Sequence, residues 1–267
     1  MTAPHTHRIA VDSVTLAYDR NVIVENLSTR IPDGGFTAII GPNGCGKSTL
    51  LRSIARILAP QQGTIALDGR DIARHRPKEL ARQIGLLPQS STAPEGITVA
   101  GLVERGRFPH QTPFAQWSEQ DEHAVLQALR AAAVEDLSDQ HVDMLSGGQR
   151  QRVWIAMTLA QQTGILLLDE PTTFLDISHQ IELLELFADL HDQGRTIVAV
   201  LHDLNHAARY ASHLIVMKHG RIVDEGDPRQ ILTADLVADV FGLNCVVVDD
   251  PETGTPMIVP RARPRRT

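Results

Sequence analysis

The chain has 267 residues, 42% of them hydrophobic and 21% charged, with a formal net charge of −7. That is enough chain to bury a substantial core, and the negative balance argues against a surface that coats nucleic acid. Nothing approaches the ~18–20 apolar residues that cross a bilayer, and Cys45 and Cys245, the two cysteines, make no disulfide framework.

The opening residues, "MTAPHTHRIAVD", lack the apolar stretch of a secretory signal, so a cytoplasmic protein is expected. "RIAVDSVTLAY" alternates apolar and polar residues as a half-buried strand does, and "STRIPDGG" closes in a turn. "FTAII" reads as a buried strand running straight into "GPNGCGKSTLLRSIARIL", a glycine-rich turn and an amphipathic helix; "GTIALDG" is a further short strand. From about Ile97 to Ala160 the pattern turns helical, and in "WSEQDEHAVLQALRAAAV" Ser118 is the expected N-cap with Asp121 three residues on. "GILLLDEP" is a buried strand, and "DISHQIELLELFADLHDQG" is a helix stopped by Gly194. "TIVAVLHD" is again a strand, "LNHAARYA" a helix, and "NCVVVDDPETGTPMIVP" a small hairpin turning at "ETGT".

Strands alternating with helices predict an α/β domain with a mainly parallel sheet. A helical lobe at about 91–160 is inserted in it, and residues 1–260 form one domain. The end, "RARPRRT", holds four arginines in seven residues and is expected to be a basic, disordered tail over 261–267.

The run Gly41-Pro42-Asn43-Gly44-Cys45-Gly46-Lys47-Ser48-Thr49 matches G-x-x-x-x-G-K-[ST] between a predicted strand and a predicted helix, the context that confirms it. Glycines let backbone N–H groups turn inward around phosphate oxygens. Lys47 adds a charge at the β/γ-phosphates, and the Ser48 hydroxyl can ligate Mg²⁺. A nucleoside triphosphate with magnesium follows. Asp169 at the end of "GILLLD" could then hold the metal through water, and Glu170 could polarise an attacking water. A second anion-binding pattern lies about a hundred residues later. "LSGGQRQR" opens a helix with small residues, where N–H groups lack partners.

Taken in order, "GPNGCGKST", "LSGGQRQR" and "ILLLDEP" resemble the ATPase subunits of ATP-binding-cassette transporters, from about Arg8 to Leu243. The resemblance implies a P-loop core with an N-terminal antiparallel β part and an inserted helical lobe. It also implies a head-to-tail dimer of two copies. In such a dimer Ser146, Gly147, Gly148 and Gln149 of one copy complete the ATP site on the other's Lys47, which accounts for the second anion site. Tyr18 is similar to the family's adenine-stacking aromatic residue. Gln89, in "LLPQSS", is similar to the glutamine that contacts Mg²⁺ and water and whose loop senses the membrane partner. Asp176, in "TTFLD", corresponds to the aspartate that communicates across the dimer. His202, in "VLHD", corresponds to the histidine on the γ-phosphate.

"HDLNH", His202 to His206, also has the i, i+4 spacing of a zinc helix, but Asp203 stands where a protease needs glutamate, so the phosphate role is favoured. Lys47 and the helix start are expected to lower the Cys45 thiol pKa and make it reactive.

A soluble ATPase acting on nucleic acid or ribosomes is the alternative class. The short Thr49–Leu145 interval without sustained heptads, and the single cassette, disfavour it. "ERGRFPHQ", "LAQQTGILLLDEPTTFLDISHQIELLEL" and "LHDLNHAARYASHLIVMKHGRIVDEGDP" resemble the subfamily serving iron–siderophore importers, with haem and cobalamin importers as alternatives. That implies a separate permease dimer, an indirect substrate-binding protein, and a place on the cytoplasmic face of the membrane.

Overall fold

The computed structural model describes residues 7–90, 92–111 and 117–262. It comprises two compact units: Met1–Asp71 with Val198–Thr267, and Ile72–Ile197.

In the first unit β1 (His7–Tyr18) pairs antiparallel with β2 (Asn21–Pro32), burying Ile9, Val11, Val14 and Leu16 on one side. A register shift between Val11 and Val14 keeps both facing inward. The turn expected over "STRIPDGG" is shorter than its sequence suggested, because β2 runs on through Pro32. β3 (Phe36–Ile40) is buried at every residue and leads into α1 (Lys47–Ile54). β4 (Gln62–Leu67) and β5 (Arg70–Asp71) complete a sheet of order β2-β1-β4-β5.

The second unit holds α2 (Pro77–Ala81), β6 (Ile84–Leu87), α3 (Val99–Glu104), α4 (Glu119–Ala131), α5 (Gly147–Ala160), β7 (Ile165–Asp169) and α6 (Ile177–Asp192). β6 and β7 run parallel. Ser118 caps α4 as expected, its hydroxyl accepting from the Asp121 N–H while Asp121 accepts from the Ser118 N–H at 3.1 Å. The Arg107 guanidinium, only 4% exposed, ties this helix start to the end of α5. It reaches Asp121 at 2.7 Å, the Ala160 carbonyl at 2.7 Å and Gln162 Oε1 at 3.0 Å. Burial alone would raise the Asp121 carboxyl; the hydrogen bonds from Arg107 and Ser118 outweigh it and hold the group below its ordinary range.

The chain returns to the first unit through β8 (Thr196–Val200), then α7 (Leu204–Tyr210), β9 (His213–Lys218) and β10 (Arg221–Gly226). The strand order there is β10-β9-β3-β8, with β9 parallel to β3 and β10 antiparallel to β9. α8 (Pro228–Ile231) and α9 (Ala234–Phe241) precede the terminal hairpin of β11 (Cys245–Asp249) and β12 (Pro256–Pro260), which forms as expected. Among the described residues no helix is long and apolar enough to cross a membrane. The arginine-rich tail lies, from residue 263 on, outside the described residues.

Candidate nucleotide-binding and catalytic site

The phosphate loop is built by backbone shape. Gly41 sits at φ 151° with room for no Cβ, which would stand 2.1 Å from the Met217 carbonyl oxygen. Gly46, at φ 105°, starts α1 with no side-chain cap, so the first N–H groups of the helix have no acceptor within it. Lys47 is the first residue of α1 and is only 5% exposed. Its ammonium donates to the carbonyls of Gly41 at 2.8 Å and Pro42 at 3.0 Å. Among the described residues no carboxylate neutralises it. A buried cation beside the N–H groups of a helix start is a place for phosphate oxygens. Asn43 and Gly44 are exposed at the tip, Ser48 is half-buried and Thr49 is buried. Tyr18, at the end of β1, is 41% exposed and is therefore not a core tyrosine; its hydroxyl accepts from Arg52 at 3.3 Å.

The expectation for Cys45 is corrected. Its thiol is 5% exposed, and burial pushes its pKa up by more than the nearby Lys47 lowers it. Iodoacetamide near neutral pH is therefore expected to modify Cys45 at least about tenfold more slowly than free cysteine, followed by mass spectrometry of the peptide. Modification at the free-thiol rate would contradict this burial.

In the second unit Asp169 ends a strand buried at all five residues, and Glu170 turns out of it with φ 54°. That left-handed backbone is uncommon for a non-glycine residue and marks a constrained position. The Glu170 carboxylate accepts from the Gln89 amide at 2.7 Å, so Gln89 here holds the candidate base. Gln151, on α5, donates to the Pro171 carbonyl at 3.2 Å and anchors the turn after Glu170, a support that the sequence reading missed. Gln151 is 8% exposed, and no periodicity in α5 marks it as inward-facing.

Ser146 caps α5. Its hydroxyl accepts from the Gln149 N–H at 3.2 Å and Gln149 Oε1 accepts from the Ser146 N–H at 3.0 Å. The N–H groups of Gly147 and Gly148 then lead the helix without acceptors inside it. Gly148 packs tightly, since a Cβ there would stand 3.3 Å from Leu175 Cδ2. A groove of about 830 Å³ opens beside this helix start, lined by Ser146, Gly147, Gly148, Phe174 and Asp176. Asp176 caps α6, and the His179 ring lies 2.7 Å from its carboxylate. Contact with the His179 N–H, first, and then with its ring holds the Asp176 carboxyl below its ordinary range. His202 is exposed just past β8, and Asp203 behind it caps α7 by accepting from the N–H groups of Asn205 and His206. That capping role accounts for Asp203 within "HDLNH".

A family model for the ABC transporter matches residues 24–173. The ferric enterobactin transport ATP-binding protein FepC of Escherichia coli (strain K12) is 56% identical over 96% of this chain and 95% of that protein. The chain belongs to the ABC transporter family. Its ATPase cassette binds and hydrolyses ATP, and its mixed sheet, antiparallel β part and helical segments are the ABC ATPase fold. The petrobactin import ATP-binding protein FpuD of Bacillus anthracis is 50% identical over 95% of the chain and 93% of its own length. A cobalamin import ATP-binding protein of Halobacterium salinarum is 40% identical, over 89% of the chain and 60% of that protein. Among solved structures, a dimeric bacterial ABC transporter cassette, MJ0796, superposes with a TM-score of 0.74 at 30% identity, over 82% of this chain and 98% of that one.

Proposed function

We propose that this ABC cassette is the ATP-hydrolysing subunit that energises import of iron–siderophore complexes through a separate membrane permease. The observation that carries the cargo class is end-to-end similarity to siderophore-system cassettes, 56% and 50% identical, against 40% for a cobalamin cassette matched over a smaller part of its length. Cobalamin or haem import is the runner-up. The cassette works at the cytoplasmic face of the membrane as a peripheral subunit, with a substrate-binding protein delivering cargo to the permease.

Two copies pair head to tail. Lys47 and the N–H groups of the phosphate loop hold the β- and γ-phosphates of ATP, and Tyr18 stacks on the base. The start of α5 in the second copy, at Ser146, Gly147, Gly148 and Gln149, closes over the γ-phosphate, and Asp176 relays the state of one site to the other. Ser48, Gln89 and Asp169 offer a hydroxyl, an amide oxygen and a carboxylate, the hard oxygen donors that suit Mg²⁺. When bound, the ion would neutralise phosphate charge. Glu170 takes the proton of the water that attacks the γ-phosphorus as the bond to the ADP oxygen breaks, and His202 fixes the γ-phosphate. The Gln89 amide donates to one oxygen of the Glu170 carboxylate and so keeps the two side chains together at this position.

The test is uptake of radiolabelled ferric siderophore in source cells carrying chromosomal Glu170→Gln, with haem and cobalamin uptake in parallel and cassette levels checked by blotting. Selective loss of siderophore uptake is expected. Intact siderophore uptake with loss of another cargo would keep the engine and discard the iron assignment.

A further inference from the structure

The terminal hairpin is bound to the helix that follows His202, through a feature of its own strand. In the β11–β12 ladder, Arg261 donates to the Asn244 carbonyl at 2.9 Å and Asp250 donates to the Thr255 carbonyl at 2.8 Å. Bonded pairs alternate along an antiparallel ladder, so Val246 with Val259 and Val248 with Met257 fill the bonded positions between them. Pro256, Ile258 and Pro260 therefore turn their backbone groups outward. Two of these are prolines without an N–H, which leaves Ile258 with the one donor on that edge.

Asn205, in the first turn of α7, takes it. Ile258 N–H donates to Asn205 Oδ1 at 2.7 Å, and Asn205 Nδ2 donates back to the Ile258 carbonyl at 3.4 Å. Its amide thus mimics one residue of an added strand. A second fastening lies one turn further along, where Arg209 Nε and a terminal guanidinium nitrogen both donate to Asp250 Oδ2, the first at 3.0 Å. Asp250 is 7% exposed and also accepts from the Glu252 N–H at 2.9 Å, so the hairpin turn is itself organised around this carboxylate. At the other end of the chain of contacts, Asp203 Oδ1 accepts from the Asn205 N–H at 2.8 Å. Asp203 is bonded directly to His202.

From this arrangement we infer that the Cys245–Pro260 hairpin is a brace for His202, and that Asn205 and Arg209 are positioning residues for ATP hydrolysis. The brace fixes the first turn of α7, the first turn fixes the Asp203 cap, and the cap fixes the histidine's backbone. The inference rests on the γ-phosphate role assigned to His202 above. Displacement of a reacting group by a fraction of an ångström to 1 Å from a distant change is worth up to about 10²-fold in rate.

The experiment uses the full chain and measures kcat, KM for ATP and melting temperature. Asn205→Ala is expected to lower kcat about tenfold to 10²-fold while leaving KM for ATP close to its parental value. Added to His202→Ala it should cost nothing further, because the group it positions is gone. Arg209→Ala should lower kcat as well, whereas Arg209→Lys, which keeps a cation for Asp250 and leaves the Asp250-capped hairpin turn intact, should retain most of it. An unchanged kcat in Asn205→Ala overturns the brace. So does a loss that multiplies that of His202→Ala, or one in which kcat and ATP affinity fall together with melting temperature and Arg209→Lys retains no more activity than Arg209→Ala. If His202→Ala itself hydrolyses ATP at the parental rate, the assignment of His202 is what fails. If His202→Ala is impaired and Asn205→Ala is not, the brace alone is wrong.

Discussion

Glu170→Gln is expected to leave ATP binding intact while slowing hydrolysis about 10²–10⁴-fold, the usual cost of losing a positioned general base. The substitution removes the proton acceptor but little else. A glutamine side chain has the same shape, and its carbonyl oxygen can still accept from Gln89 as the carboxylate does at 2.7 Å. With binding spared and chemistry blocked, the variant should accumulate as an ATP-loaded closed dimer, visible by size-exclusion chromatography in the presence of nucleotide. Phosphate release at the parental rate would remove Glu170 from its assigned role.

Lys47→Met should act at the opposite stage. The ammonium is 5% exposed and held by the Gly41 and Pro42 carbonyls, so it is already dehydrated and aimed before phosphate arrives. Removing one partner of a buried charge pair costs roughly 3–4 kcal/mol, or ~10²–10³-fold in affinity. Methionine fills similar space, and the φ 151° and φ 105° of Gly41 and Gly46 that shape the loop do not depend on the lysine. Titration with a fluorescent ATP analogue reads the change directly. Affinity within a few-fold of parental would mean that the loop's N–H groups, not Lys47, hold the nucleotide.

Much of this architecture was legible because local signals agreed with one another. The phosphate loop lies between a strand and a helix as its spacing demands, Ser118 and Asp121 form the expected cap, and Gly194 follows the last turn of α6 with φ 88°. Other elements were hidden by weak local chemistry. The β9–β10 hairpin turns on His219 and Gly220 at φ 48° and 75°, a two-residue turn in which histidine takes the place usually held by asparagine or aspartate. Helix α2 is a single short helix whose start is marked by Pro77 and Glu79, within a run of basic residues that obscures its apolar face. Cys45 was misjudged for a different reason. Sequence spacing shows that a lysine is near, but burial, which dominates this thiol, depends on how the first unit packs around the loop.

The same was true of the long-range contacts around the candidate catalytic residues. Gln151, Asn205 and Arg209 act across sequence separations of 20, 53 and 41 residues. No periodicity or motif reports such pairings, since each is a side chain meeting backbone or charge delivered by another part of the fold.

The placing of Pro256 and Pro260 has a consequence for how the molecule behaves among its own copies. A hairpin on the outside of a protein offers its free edge as a template on which a neighbouring chain can grow the sheet, the usual start of unwanted fibrous association. Here that edge has a single N–H, at Ile258, and it is spent on Asn205. With that donor spent, the edge offers a neighbouring strand carbonyls alone, and copies of this chain are poorly placed to extend the sheet along β12.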